Sequence, residues 1–476
     1  MRTARPAART SLAAVPSLAH MVASALACAL LCASIAGCKK KQEEPIDVAP
    51  PRGAANADEL SIGIGQARGL AEGMASTSTK WQRVIVLDDK RALVTGDLAT
   101  EVVALATNDA GKSWHPLRYE HEAWAGWSAA MDGTIVLVSG ARGGATAATG
   151  GSIEAGHLLF ASFDAPNFTA PSPFFPLEKG PAKGTTQGDA AIPALINPDT
   201  AAVIADENAR TRVVFYGGRP GAEPVPRTAL PAGEKIVPTA YGRPAVLLSI
   251  KGRDLLSRPF PEPQKPLEAP KKVPGVVLTP TLLAELSAPP ACEDGAWSFQ
   301  RIKQPGGKVA VLGVSAEKTV IVPLPDTTLP ATTVGCGGGK LIVQVTDPKT
   351  KALALSTCDL DATCTAPLND SLRDWPEKHE HDIQTVGLAN GVVSALSEHV
   401  GARWGLYLSA SNDGATWERP RVIGEGNGDR GRIELGALVP FGKRVVLLVS
   451  ADVTGTSRRG WFTIASEDGG INWGPP

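Results

Sequence analysis

The sequence predicts an all-β chain assembled from repeated small sheets, and three observations carry that expectation. Apolar residues fall in short runs punctuated by Gly, Pro, Asn or Asp, with no long stretch at helical period. One turn occurs three times, as Thr107-Asn-Asp109-Ala-Gly111-Lys-Ser113-Trp114, Ser411-Asn-Asp413-Gly414-Ala-Thr416-Trp417 and Ser466-Glu-Asp468-Gly-Gly470-Ile-Asn472-Trp473. The 50 Gly and 39 Pro supply many turns, while a 43% hydrophobic share of 476 residues still fills a core.

Taken in order, the expected strands are 83–87, 91–95, 102–106, 134–139, 157–162, 201–205, 211–216 and 244–250. They continue with 308–314, 319–323, 340–345, 391–396, 405–410, 444–450 and 460–465. The glycine-rich stretch 140–156 reads as a flexible loop. The Pro- and Lys-rich stretch 258–275 reads as a loop or an extended outer edge.

Each turn has a local logic. The Asp carboxylate folds back onto backbone N–H groups, Gly takes a conformation that a side chain forbids, and Trp buries a large ring. The pattern resembles the Asp-box, or bacterial neuraminidase repeat, of sialidase-type β-propellers. That resemblance implies a single propeller over 61–476, with the turns joining the two outer strands of a blade and carrying no catalysis. Its structural residues would be Thr107, Asp109, Gly111 and Trp114, then Ser411, Asp413, Gly414 and Trp417, and finally Ser466, Asp468, Gly470 and Trp473. The interval from Trp417 to Trp473 is read as one blade, and the interval from Trp114 to Trp417 holds between five and six such steps. Five steps give seven blades and six give eight, so seven is expected within a range of six to eight. Worn copies are read at Ser162–Phe168, at Cys292-Glu-Asp294-Gly295-Ala-Trp297 and in the Cys358–Cys364 hairpin. Pro476 follows the last turn closely, so 60–69 or 81–87 is expected to supply the last outer strand and close the ring.

The stretch 1–60 differs in kind. Arg2, Arg5 and Arg9 precede an apolar run over 21–36 that ends Ile35-Ala36-Gly37-Cys38. This resembles a bacterial lipoprotein signal, which implies a signal peptide over 1–37 and a lipidated Cys38; a plain secretory signal or an N-terminal anchor is the other reading. Residues 38–60 open with like charges and turn Pro- and Ala-rich, as a solvated tether does. The expected location is a bacterial cell envelope, at the outer membrane or cell surface, held to the membrane through lipid on Cys38. Cys28 and Cys32 belong to the leader, leaving Cys292, Cys336, Cys358 and Cys364. Two disulfides are expected of an exported protein, Cys358 with Cys364 across one hairpin and Cys292 with Cys336 by elimination. A zinc site is the alternative, although paired Cys-x-x-Cys knuckles are absent.

Composition narrows the function. Net charge is −1, and removing the three leader arginines gives −1 − 3 = −4, so no basic surface calls for nucleic acid. A sialidase would need three arginines to clamp a carboxylate, a Tyr–Glu nucleophile pair and an Asp acid/base. The Phe/Tyr-Arg-Ile-Pro motif of that family is missing. Trp81-Gln-Arg83 stands where it would fall, and Phe299-Gln-Arg301-Ile302 is a faint echo in the wrong blade. Of the tyrosines Tyr119, Tyr216, Tyr241 and Tyr407, none has a nucleophile's context, and Tyr407 reads as core. The run Trp375-Pro-Glu377-Lys-His379-Glu380-His381-Asp382 reads as a solvated turn rather than a metal site, and Gly335-Cys-Gly-Gly-Gly339 lacks what a phosphate loop needs. Catalytic residues, metal and cofactor are all expected to be none. The expectation is a non-catalytic propeller that binds a glycan or an envelope protein at its axial mouth. The alternative is a divergent exo-sialidase-like glycoside hydrolase, and a third option is a scaffold for an envelope complex.

Overall fold

A computed structural model describes residues 68–69, 79–97, 101–120, 127–142, 153–163, 172–173, 192–208, 211–218, 228–231, 236–238, 246–274, 276, 292–294, 297–303, 309–315, 319–323, 331–337, 339–346, 353–359, 380–414, 416–427, 432–452 and 459–475. Cys38, Cys364, the signal, the tether, His379 and most of the expected turn at Ser162–Phe168 lie outside the described residues.

Among the described residues the strands form eight antiparallel sheets, seven of them simple meanders in chain order and the eighth a meander whose outer strand is Arg68–Gly69. Blade 1 comprises Lys80–Val86, Ala92–Asp97, Glu101–Thr107 and His115–Glu120. Blade 2 is Trp127–Met131, Thr134–Arg142, Ile153–Ser162 and Ser172–Pro173, and blade 3 is Ile192–Asn197, Thr200–Asn208, Thr211–Gly218 and Thr228–Ala229. Blade 4 is Ile236–Pro238, Val246–Lys251, Asp254–Pro259 and Lys271–Lys272, and blade 5 is Cys292–Asp294, Trp297–Lys303, Val309–Val314 and Thr319–Pro323. Blade 6 has three described strands, Ala331–Gly337, Lys340–Thr346 and Leu353–Asp359. Blade 7 is Glu380–Leu388, Gly391–Val400, Arg403–Ser411 and Arg421–Asn427; blade 8 is Ile433–Phe441, Arg444–Asp452 and Arg459–Ser466, completed by Arg68–Gly69.

Alternation along the middle strands explains how the sheets stack. Successive side chains point to opposite faces, so a strand that is apolar throughout needs a neighbour on each side. In Arg444–Asp452, Val445, Leu447 and Val449 pack with blade 7, while Val446 and Leu448 pack with blade 1. The same split recurs at Leu247 against Val246 and Leu248, and at Val311 against Ala310 and Leu312. Blades 1 and 2 share Leu93, Leu117, Ile135 and Phe163, and the first strand of blade 3 lies against blade 2. Each blade therefore packs on the next and blade 8 on blade 1: the chain is an all-β propeller with a closed ring.

Eight sheets replace the seven expected, within the anticipated range. The expected step came from the interval between the last two turns, whereas blades vary in length, and blades 5 and 6 begin closer together, at Cys292 and Ala331. The ring is closed by Arg68 and Gly69, paired with Thr463 and Phe462, while Gly474 pairs with Ala465 on the same edge. Residues 81–86 instead belong to the inner strand of blade 1. The stretch 258–275 provides the outer strand of blade 4, Lys271–Lys272. Its Pro-rich approach turns at Glu262, where the Lys265 N–H donates to the Glu262 carbonyl at 3.2 Å, and packs Phe260 and Leu267 against blade 3.

Two features shape the inner wall. Gly335 and Gly337 of blade 6 meet the backbone of Thr385 and Gly387 of blade 7 so closely that a β-carbon at either would overlap a carbonyl oxygen. Gly335 and Gly337 thus serve close backbone approach rather than phosphate binding. The inner strands of blades 1 and 5, on opposite sides of the ring, are also in contact, so the axis is crossed there. Cys292 of blade 5 is bonded to Cys336 of blade 6, with Cα atoms 5.9 Å apart, and Cys358 is disulfide-bonded too.

Candidate functional site

The three repeated turns form one network copied three times, each between the third and fourth strand positions. Thr107 Oγ1 accepts the Gly111 N–H at 2.9 Å and donates to Asp109 at 2.9 Å, while Asp109 accepts the Ser113 N–H at 2.9 Å and the Ser113 hydroxyl at 2.6 Å. Ser411, Gly414, Asp413 and Thr416 repeat it, with bonds of 2.8, 3.0 and 2.7 Å. Ser466, Gly470, Asp468 and Asn472 repeat it again, each at 2.8 Å. The glycines need it to be so: Gly111, Gly414 and Gly470 hold φ of 76°, 74° and 93°. A β-carbon on them would strike Val446, Thr357 and Val393, all in the preceding blade. Trp114, Trp417 and Trp473 also pack into the interface with the preceding blade. These twelve residues join blades and surround no common point.

Burial works against the Asp109 charge, but hydrogen bonds from the Ser113 side chain and N–H, the Thr107 hydroxyl and the Lys112 N–H outweigh it and hold the carboxyl below its usual 3.8. A carboxylate with a lowered folded pKa stabilises above the unfolded value and loses that contribution as pH falls through the folded one. Asp109→Ala is therefore expected to cost about 1–2 kcal/mol near neutrality, from the lost hydrogen bonds to a charged group and solvent screening of a partly exposed site. Urea unfolding across pH should show that deficit shrinking below about pH 4. Arg444, buried at 6% exposure, ties this turn to blade 8: its Nε donates to the Ala110 carbonyl at 2.7 Å and its guanidinium pairs with Glu467.

The worn copy at Cys292–Trp297 is not such a turn, because Asp294 and Trp297 pair across the hairpin between the first two strands of blade 5. The run 375–382 is not wholly a turn either: Glu380, His381 and Asp382 open the inner strand of blade 7, with His381 in register with Glu398. Among the described residues no cluster of three His, Cys, Asp or Glu side chains could hold a metal.

Meander topology places strand starts one and three, and strand ends two and four, at the end opposite the repeated turns. On blades 7 and 8 that end gathers a mixed cluster. Gly401 and Ala402 make a two-residue hairpin with Gly401 at φ 60°. His399 and Trp404, cross-strand partners beside it, stack with centroids 3.9 Å apart at 15°. Arg432 of blade 8 stands 5.3 Å from the Trp404 centroid and pairs with Glu434. On the other face of blade 7, Arg403 pairs with Glu425, and Tyr407 bonds to Glu398, which is only 8% exposed. Gly405 leaves the space that the Tyr407 ring occupies. Burial, then the Glu398 charge, push the Tyr407 hydroxyl up to about 12. The ring packs toward Ile342 of blade 6 with Trp417, so Tyr407 is core on one side, as expected, and part of a polar rim on the other. Glu398, Arg403, Trp404, Glu425 and Arg432 were not singled out from sequence. The usable signal is parity: 403, 405 and 407 alternate onto one face, and a tight hairpin returns them beside 398.

No family model matches the chain, and no curated protein sequence does. Among solved structures it resembles a prolyl endopeptidase at 10% identity and TM-score 0.42, over 83% of this chain and 57% of that one, so it spans little more than half of that protein. It also resembles the β-propeller domain of the trilobed protease from Pyrococcus furiosus, at 10% identity and TM-score 0.33 over 81% and 95% of the two chains. A third likeness is to the BP39L lectin from Burkholderia pseudomallei, at 13% identity and TM-score 0.37 over 73% and 100%.

Proposed function

We propose that the chain is a lipid-anchored propeller of a bacterial envelope that binds a glycan or protein partner, without catalysis, at the rim of blades 7 and 8. The observation that carries this reading is the Trp404 cluster, a partly exposed indole with His399 and Arg432 against it and the Arg403–Glu425 and Arg432–Glu434 pairs beside it. An aromatic anchor among planar hydrogen-bonding groups has the make-up of a binding hot spot. The contact between blades 1 and 5 favours this rim over the axial mouth. Arg403 and Arg432 already face glutamates rather than one shared point, and a phenol held near 12 is a weak nucleophile at neutral pH.

Glycan-array and envelope pull-down experiments should recover a ligand for the native protein, and Trp404→Ala should weaken it by at least about tenfold. Equal binding by that variant sinks the rim as the site. The anchor rests on the Ile35–Cys38 sequence. Cys38→Ala should move the protein from the membrane to the soluble fraction, and unchanged fractionation removes the lipid from this reading. The Tyr407–Glu398 pair favours one second reading, a divergent sialidase-like hydrolase. Turnover of a fluorogenic sialoside that Tyr407→Phe abolishes would establish that reading in place of binding alone.

A further inference from the structure

The indole of Trp404 already holds a cation that belongs to this chain. In the ladder of blade 7 it lies between His399 and Gly426. His399 stacks on it with centroids 3.9 Å apart at 15°. Gly426 brings no side chain, and the charged group at the ring, Arg432, comes from blade 8 and stands 5.3 Å from the centroid. Glu434, two residues further along the chain, pairs with that guanidinium. An aromatic ring beside a carboxylate is the setting that holds a guanidinium, which stacks flat and bonds along its edge. Arg432 is held there weakly. It precedes the strand Ile433–Phe441, and its side chain is 50% exposed and that of Glu434 34%; an exposed pair of this kind adds little and is screened by salt.

We propose that Arg432 stands in for a guest: the rim takes an arginine side chain of a basic protein partner, whose guanidinium displaces Arg432 from Trp404 and Glu434. A guest of that kind rests on the rim reading above and narrows its ligand, from a glycan or a protein, to a protein segment bearing arginine. Exchange of one guanidinium for another conserves both the ring contact and the ion pair. A neutral sugar that displaced Arg432 would leave Glu434 without that partner, at a cost the sugar cannot return. The surroundings do not oppose a cation: on the other face of the blade Arg403 stands between the carboxylates Glu398 and Glu425. Without the three leader arginines the chain carries −1 − 3 = −4, a sign that favours encounter with a basic partner.

Anisotropy of a labelled peptide with one arginine among glycines and serines, titrated with the full chain in detergent at low salt, tests this. Twin peptides carry lysine or the neutral isostere citrulline instead. Arg432→Ala should bind the arginine peptide about tenfold more tightly than the native chain, the gain expected when a group that fills the site about nine-tenths of the time is withdrawn. Arg432→Gln, which keeps a long side chain and loses the charge, should gain equally. Adding Trp404→Ala to either variant should abolish the gain, and neither twin should show it in full. Arginine binding that is unchanged or weakened in both Arg432 variants overturns the proposal, as does an equal gain for the lysine or citrulline twin. Glucosamine that competes as well as the arginine peptide gives the place to an amino sugar and overturns it too. If native ligands still depend on Trp404 when these results fail, the rim remains a binding site and its guest alone is wrong. If Trp404→Ala leaves native binding intact, the rim reading has failed as well.

Discussion

Gly335→Ala is expected to destabilise the ring by about 3 kcal/mol, at the upper end of what overpacking a closed interior costs. The cause is specific. Inner strands of neighbouring blades rarely need backbone-to-backbone contact, but here Gly335 and Gly337 lie against Thr385 and Gly387. A new methyl at 335 would overlap the Thr385 carbonyl oxygen, which belongs to a strand held on its far side by the Thr385–Ser394 hydroxyl bond of 2.8 Å. Neither strand yields without opening the wall between blades 6 and 7. Gly339, in the same run, separates space from conformation: nothing lies within 4 Å of its would-be β-carbon, yet its φ is 76°. Gly339→Ala should therefore cost only about 1 kcal/mol, the penalty for a left-handed alanine. Urea midpoints that rank the two variants in the opposite order would refute the close approach.

Removing the Cys292–Cys336 bond is the second large effect. The bond closes a loop of 44 residues, and in the chain-entropy account such a loop contributes about 4 kcal/mol. It also joins the inner strands of two blades, one of them the three-residue Cys292–Asp294 strand. Cys292→Ala with Cys336→Ala is expected to lower stability by about 4 kcal/mol in urea unfolding. The paired variant is the right instrument because reductant also breaks the Cys358 bond. An unchanged midpoint would mean that blade packing alone fixes the wall.

Much of the architecture is legible in the residues because it rests on local chemistry. Each expected strand falls on an observed one, since an apolar run bounded by turn residues states its own limits. The closing role of residues near 68 is legible for a similar reason: a third strand ending at Ser466 needs an outer partner. The miscounted blade shows the limit, because the interval between the last two turns does not fix the length of the other blades. Cys292-Glu-Asp294-Gly295 shows another, since a tight turn between strands one and two uses the same residue types as one between strands three and four. The rim cluster was hidden for a third reason. Trp404 meets Arg432 only because blade 8 stacks on blade 7, and no residue spacing encodes that contact.

The line running from Gly474 to Arg68 has a consequence in time. A chain synthesised from its N-terminus has residue 68 free long before residues 462 and 463 exist, and Ala110 waits likewise for Arg444. Early blades can form as they emerge, because their contacts are near in sequence. The seam cannot form early, because it brings together residues several hundred positions apart, and such long-range closure is slow. Until then the third strand of the last blade and the open side of blade 1 remain unsatisfied, so the newborn ring is exposed to mispairing until blade 8 has emerged.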